Sequence, residues 1–181
     1  MIPSEIIFEN NYPVTAHIIF FINDYLIYSL IGLVGLIIFL KCKTRFLDYC
    51  FAVIVALGAS ELIKFFVDKP RPLPITSSLA FEGGSFPSTH TAIAFTVAFF
   101  YLLVCHRLSA KSGRGGKTKS GKSTTGEYFL LIVIFLASIL VGVFRVVVKA
   151  HYPVDVLAGV VLGFLVALPF RYYDLITRRK R

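Results

Sequence analysis

The sequence predicts an all-α protein, a polytopic membrane bundle of about five transmembrane helices preceded by an interfacial segment. Two observations carry that expectation. Of the 181 residues 56% are hydrophobic and only 16% charged, with a mean hydropathy of +0.77, whereas soluble domains are about 45–50% apolar and about 25% charged. The apolar residues also run in long stretches, and the cations gather in the gaps between them. A single unit over residues 1–181 is the simplest domain organisation.

The first span is read over Asp24–Leu40. Asn23-Asp24 separates it from His17–Ile22, which together with Glu5 and Glu9 reads as a short amphipathic element at the interface. Spans follow over Phe46–Val67, Ser88–Cys105, Tyr128–Val148 and Val154–Tyr173. Most approach the roughly 20 residues needed to cross the hydrocarbon layer. No basic segment precedes the first apolar run and no cleavage site follows it, so no signal peptide is expected.

The cations set the orientation. Lys41, Lys43 and Arg45 follow span one, Arg107 to Lys122 supply six more after span three, and Arg178 to Arg181 end the chain. Alternating spans place all three groups on one side, which the positive-inside rule makes cytoplasmic. The N-terminus then lies outside and the C-terminus inside. The net charge of +9 is thereby explained by topology and anionic headgroups rather than by nucleic acid. Cys42, Cys50 and Cys105 are odd in number and suggest neither a disulfide nor a metal site.

Gly116-Lys117-Thr118-Lys119-Ser120-Gly121-Lys122-Ser123 fits the phosphate-loop pattern letter for letter. That pattern works by ending a strand and opening a helix, and no strand precedes it here. Its surroundings are rich in Gly, Lys, Ser and Thr, so residues 106–127 read as a flexible basic cytoplasmic loop without a nucleotide.

Three polar blocks interrupt the apolar chain: Lys64 with Arg71-Pro72, Pro87-Ser88-Thr89-His90, and Arg145 with His151 and Asp155. Alone, Lys64 reads as a snorkelling interfacial lysine and Pro87-Ser88 as an ordinary helix start. Together they differ, because all of them fall at the outer ends of their spans. Charges there need a function or a partner. Their inventory suits phosphoryl transfer without a metal. Lys64, Arg71 and Arg145 supply positive charge for phosphate oxygens. Ser88 offers a hydroxyl, and the backbone at Thr89 offers an N–H at a helix start. The four-residue spacing of His151 and Asp155 suggests a nucleophilic imidazole oriented by a carboxylate. His90, with no carboxylate beside it in sequence, is the general acid and then the general base.

These residues resemble the three-part signature of the type-2 phosphatidic acid phosphatase superfamily, which includes integral-membrane lipid phosphatases and soluble vanadium haloperoxidases. The resemblance spans residues 64–155 and implies an acid phosphatase/vanadium haloperoxidase-like helical core, a phosphohistidine intermediate, sensitivity to vanadate and no metal or other cofactor. It departs from the family at Thr89, where Gly is common, and at Phe144, where Ser is common. Residues 85–91 and 151–157 look most like bacterial undecaprenyl-pyrophosphate phosphatases, implying a bacterial inner or plasma membrane and that lipid diphosphate as substrate. Phosphatidylglycerophosphate, phosphatidate and lipid A phosphatases are alternatives, as is a lipid-binding or lipid-transport protein without catalysis on the same scaffold.

Overall fold

The computed structural model describes residues 14–72, 84–106 and 123–179, and all its regular structure there is helical. Helix α1 runs over Val14–Lys41, and a short 3-10 turn at Lys43–Arg45 reverses the chain into α2, Phe46–Val67. Helix α3 covers Thr89–Phe100 and continues as a π-helical turn over Tyr101–His106. Helix α4 is Ser123–Val147 and α5 is Pro153–Arg179. α1, α2, α4 and α5 contain apolar stretches long enough to cross a membrane, while the apolar stretch of α3, Thr89–Val104, is shorter.

Two sequence expectations change. Asn23-Asp24 does not separate two elements, because α1 runs through it without a break. Two polar residues cost a helix little when its backbone hydrogen bonds are kept and a side chain finds a partner, as Asp24 does below. Glu5 and Glu9, and most of the basic loop, lie outside the described residues; residues 123–127 at the end of that loop already form the first turn of α4.

The bundle is apolar outside as well as inside. Leu47, Phe65 and Leu157 are among many large side chains that stand exposed, the pattern expected where lipid is the solvent. The core is built from Val34, Ile38, Ala52, Ala56, Val97, Phe100 and Val141. Helix α3 is its axis, packed against all four other helices and most extensively against α5. That position explains its composition: Ala92, Ala94 and Ala98 are fully buried, and small side chains let neighbouring helices approach.

The tightest approach is between α3 and α5. A Cβ added at Gly159 would lie 2.8 Å from the Ser88 carbonyl, and one at Gly163 would lie 2.8 Å from both the Ala92 carbonyl and the Thr96 nitrogen. These are backbone atoms, so nothing can swing aside. Glycine four residues apart on one helix face is the device that brings two membrane helices into backbone contact.

Gly163→Leu is therefore expected to destabilise the protein by about 1–3 kcal/mol, the ordinary cost of overpacking, or by more. Gly58→Ala, where a Cβ meets nothing within 4 Å, should leave stability unchanged or slightly improved. Thermal unfolding of the two variants in detergent compares them directly.

Candidate active site

All three polar blocks meet at one end of the bundle, where α2 and α4 finish and α3 and α5 begin. Helix α2 ends on Asp68, which takes a left-handed conformation (φ 38°) and donates its N–H to the Lys64 carbonyl at 2.9 Å. The chain beyond it is stitched to the segment that precedes α3. Ser85 N–H donates to the Lys69 carbonyl at 2.7 Å, and Ser85 Oγ to the Pro70 carbonyl at 3.1 Å. A cis Phe86–Pro87 bond then leads into α3. Ser88 is fully buried; its N–H reaches the Asp155 carbonyl at 3.0 Å and its hydroxyl pairs with Thr91 Oγ1 at 2.9 Å.

The turn from α4 to α5 places His151. Lys149 adopts a left-handed conformation (φ 55°), and the N–H groups of Ala150 and His151 both donate to the Arg145 carbonyl. Pro153 occupies the first turn of α5, where its missing N–H costs nothing. Asp155 closes that turn reciprocally: its carboxylate accepts from the Tyr152 N–H at 2.9 Å, and its own N–H donates to the Tyr152 carbonyl at 2.9 Å.

The spacing of His151 and Asp155 suggested a direct hydrogen bond, and the geometry differs. Asp155 Oδ2 lies 3.9 Å from His151 Nδ1, too far for one. Both carboxylate oxygens are engaged elsewhere, Oδ2 by the Tyr152 N–H and Oδ1 by Lys69 Nζ at 2.7 Å. The imidazole is held instead by the Ser85 carbonyl, 2.7 Å from Nδ1. A carbonyl only accepts, so Nδ1 carries the hydrogen and the lone pair is on Nε2. Burial, and next the Arg71 cation, push the His151 imidazole down from the ordinary 6.5 to about 3. The ring is therefore neutral at physiological pH. Arg71 is itself shifted downward by burial, against the pull of Glu61 and Asp155.

The cations are balanced by carboxylates from the first two helices. Lys64 Nζ donates to Glu61 Oε1 at 2.8 Å, and Thr89 Oγ1 donates to the same oxygen at 2.8 Å. The threonine that replaces the family's glycine thus ties the start of α3 to α2. Arg145 is buried and donates from one terminal nitrogen to Asp24 Oδ1 at 2.7 Å. The same oxygen lies 3.2 Å from His90 Nε2. Arg145 Nε is buried with no acceptor among the described residues.

The eight residues singled out from sequence, Lys64, Arg71, Ser88, Thr89, His90, Arg145, His151 and Asp155, accordingly share one end of the bundle. Four further participants did not stand out: Asp24, Glu61, Lys69 and Ser85. A charge at the edge of an apolar stretch was the available signal for Asp24, and the three-residue spacing to Lys64 was the signal for Glu61. Ser85 contributes a backbone carbonyl, which has no residue-type signal. Among the described residues no cluster of three His, Cys, Asp or Glu could hold a metal ion.

The chain is 25% identical over 128 residues to a Dictyostelium discoideum protein named "Probable sphingosine-1-phosphate phosphatase", covering 69% of this chain and 30% of that one. It is 31% identical over 125 residues to a dihydrosphingosine 1-phosphate phosphatase of Schizosaccharomyces pombe, covering 64% of this chain and 27% of that one. The chain thus aligns with under a third of the length of either relative. In fold it is similar to the crystal structure of a transmembrane PAP2 type phosphatidylglycerolphosphate phosphatase from Bacillus subtilis, with a TM-score of 0.64, 22% identity and coverage of 95% of this chain and 82% of that one. It is also similar to LpxE of Aquifex aeolicus, with a TM-score of 0.57, 24% identity and coverage of 88% and 86%. Residues 45–179 match the family model of the PAP2 superfamily, a stretch that holds every residue of the three polar blocks, and the chain belongs to that superfamily.

Proposed function

We propose that the protein hydrolyses the phosphate monoester of a membrane lipid through a phosphohistidine on His151. The observation that carries this reading is the state of that imidazole: neutral, with Nδ1 fixed on the Ser85 carbonyl and the lone pair on Nε2, beside Arg71, Arg145 and Lys64. A neutral ring can attack phosphorus, and fixed cations stabilise the charge on the three non-bridging oxygens. The unpartnered Arg145 Nε is a donor that a phosphate oxygen would satisfy.

In the first half-reaction His151 Nε2 forms a P–N bond while the bond from phosphorus to the lipid oxygen breaks, and His90 gives a proton to that oxygen. In the second, water attacks phosphorus, His90 takes its proton, and the P–N bond breaks to release phosphate. Asp155 acts on the frame around His151 rather than on its ring, by capping α5 and holding Lys69. No step calls for a metal ion or a nucleotide.

The named relatives act on monoesters of sphingoid bases and of phosphatidylglycerol, which favours a monoester over the undecaprenyl diphosphate that the sequence suggested. The distribution of cations supports a site on the outer face and a C-terminus in the cytoplasm. That some relatives are eukaryotic leaves a bacterial membrane without special support.

Four outcomes are expected. Purified protein should release inorganic phosphate from a lipid phosphate in EDTA, with His151→Ala reducing the rate by at least about a thousandfold; equal rates in the variant would remove His151 as nucleophile, and a lipid-binding scaffold would be left. Because the folded His151 value lies below the ordinary 6.5, its neutral form should persist as pH falls through 6.5. Histidine-labelled NMR should therefore show the His151 ring neutral at about pH 5. Stability, in turn, should be full above 6.5 and decline toward pH 3 as the unfolded chain takes up the proton that the folded ring refuses. Finally, Lys69→Met removes the ion pair on Oδ1 of the buried Asp155 carboxylate, which should lower stability by about 3–5 kcal/mol in a denaturant or thermal titration.

A further inference from the structure

Asp24 lies outside the stretch that matches the family, which begins at residue 45, yet it reaches the centre of the site. A single carboxylate oxygen, Oδ1, is 2.7 Å from an Arg145 terminal nitrogen and 3.2 Å from His90 Nε2. Helix α1 delivers it by packing against α3 and α4, the helices that carry those two residues. An oxygen bearing negative charge, bound at once by a phosphate-gripping arginine and by the proton-donating histidine, stands where a substrate oxygen has to stand. A bound lipid phosphate needs both partners, Arg145 for a non-bridging oxygen and His90 for the ester oxygen when its bond to phosphorus breaks.

We infer that Asp24 is a positioning residue for the phosphatase reaction proposed above, holding the His90 proton on Nε2 and occupying the substrate-oxygen position on Arg145 until substrate displaces it. The inference rests on that reading of the site. A carboxylate can only accept, so the contact fixes a hydrogen on Nε2, the nitrogen that faces the leaving group. Besides Asp24 from α1, the charged groups that act on His90 are Lys64 from α2 and Arg145 from α4. Both are cations, so among these three only Asp24 favours a proton at Nε2. The two duties oppose each other. Asp24 prepares proton transfer to the departing lipid alkoxide, and it competes with phosphate for Arg145.

That opposition makes the inference testable. In Asp24→Asn the kcat/KM for a lipid alkyl phosphate, whose leaving oxygen needs a proton, should fall by roughly ten- to a hundredfold. The kcat/KM for p-nitrophenyl phosphate, whose leaving group departs without one, should hold or rise. Inorganic phosphate should inhibit the variant at about two- to fivefold lower concentration than the wild type, because an ion pair with Arg145 no longer competes. Asp24→Glu should restore the alkyl reaction in part. A merely structural role predicts equal losses on both esters and weaker inhibition by phosphate, in Asp24→Asn and Asp24→Ala alike, and that result would overturn the assignment. Failure of the wild type to release phosphate from either ester would instead count against the phosphatase reading itself.

Discussion

The close contact of α3 and α5 is the constraint on which the rest of the molecule depends. Gly159 and Gly163 let the two backbones touch, and the Ser88 N–H reaches the Asp155 carbonyl across the seam. One helix carries His90 at its start and the other follows His151, so this seam sets the separation of the two imidazoles. Proton transfer and nucleophilic attack on the same phosphate tolerate displacements well under about 1 Å. An apolar bundle has few ways to fix a distance that finely, and backbone contact is the stiffest of them. The remaining pieces hang from it. The turn before α3 supplies the carbonyl that holds His151, and the first turn of α5 positions the carboxylate that holds Lys69.

The second constraint is electrostatic. Lys64, Lys69, Arg71 and Arg145 converge on one end of the bundle, where Lys64 and Arg145 are buried and an unpaired charge is costly. The fold answers with carboxylates drawn from different helices: Asp24 from α1, Glu61 from α2 and Asp155 from α5. Each accepts two hydrogen bonds or ion-pair contacts, so the pairs form a network. The same field has a chemical consequence. Cations that would otherwise only bind phosphate also disfavour a proton on His151, and burial acts in the same direction. On the proposed function, one arrangement of charge thereby serves the substrate and the nucleophile together.

The spans and the meeting of the three polar blocks at one end of the bundle were legible in the sequence, because each rests on local order: apolar run length, helix-start chemistry or short spacing. The missing participants were those whose partners are remote. Asp24 meets Arg145 across 121 residues and Lys69 meets Asp155 across 86, and no periodicity encodes such pairs. The misreading of Asp155 has a different origin. Four-residue spacing on a helix does bring His151 and Asp155 together, but a first-turn carboxylate is also drawn to cap its own helix, and the Tyr152 N–H and Lys69 took both its oxygens. Spacing gave proximity and could not give the hydrogen bond. Asp24 shows the converse error: a polar pair in an apolar stretch was read as a break in the helix, when it was a partner for a cation elsewhere.

The carboxylates also bear on how such a site releases its product. Were the four cations unopposed, the end of the bundle would bind a free phosphate dianion about as well as an esterified one, and inorganic phosphate would remain after every turnover. With Asp24, Glu61 and Asp155 in place, three carboxylates oppose the four cations. On the reading proposed above, a lipid monoester offsets the cost of displacing a carboxylate with the high local concentration its chains give it in the bilayer. Free phosphate has no such contribution and must displace Asp24 from Arg145 by electrostatics alone. On that reading, anchoring of the remote, unreactive part of the lipid favours opening of the site, and its loss on cleavage lets Asp24 return. Carboxylates beside a phosphate site, which look at first like a defect, would on the proposed function favour a phosphate that is still attached to its lipid.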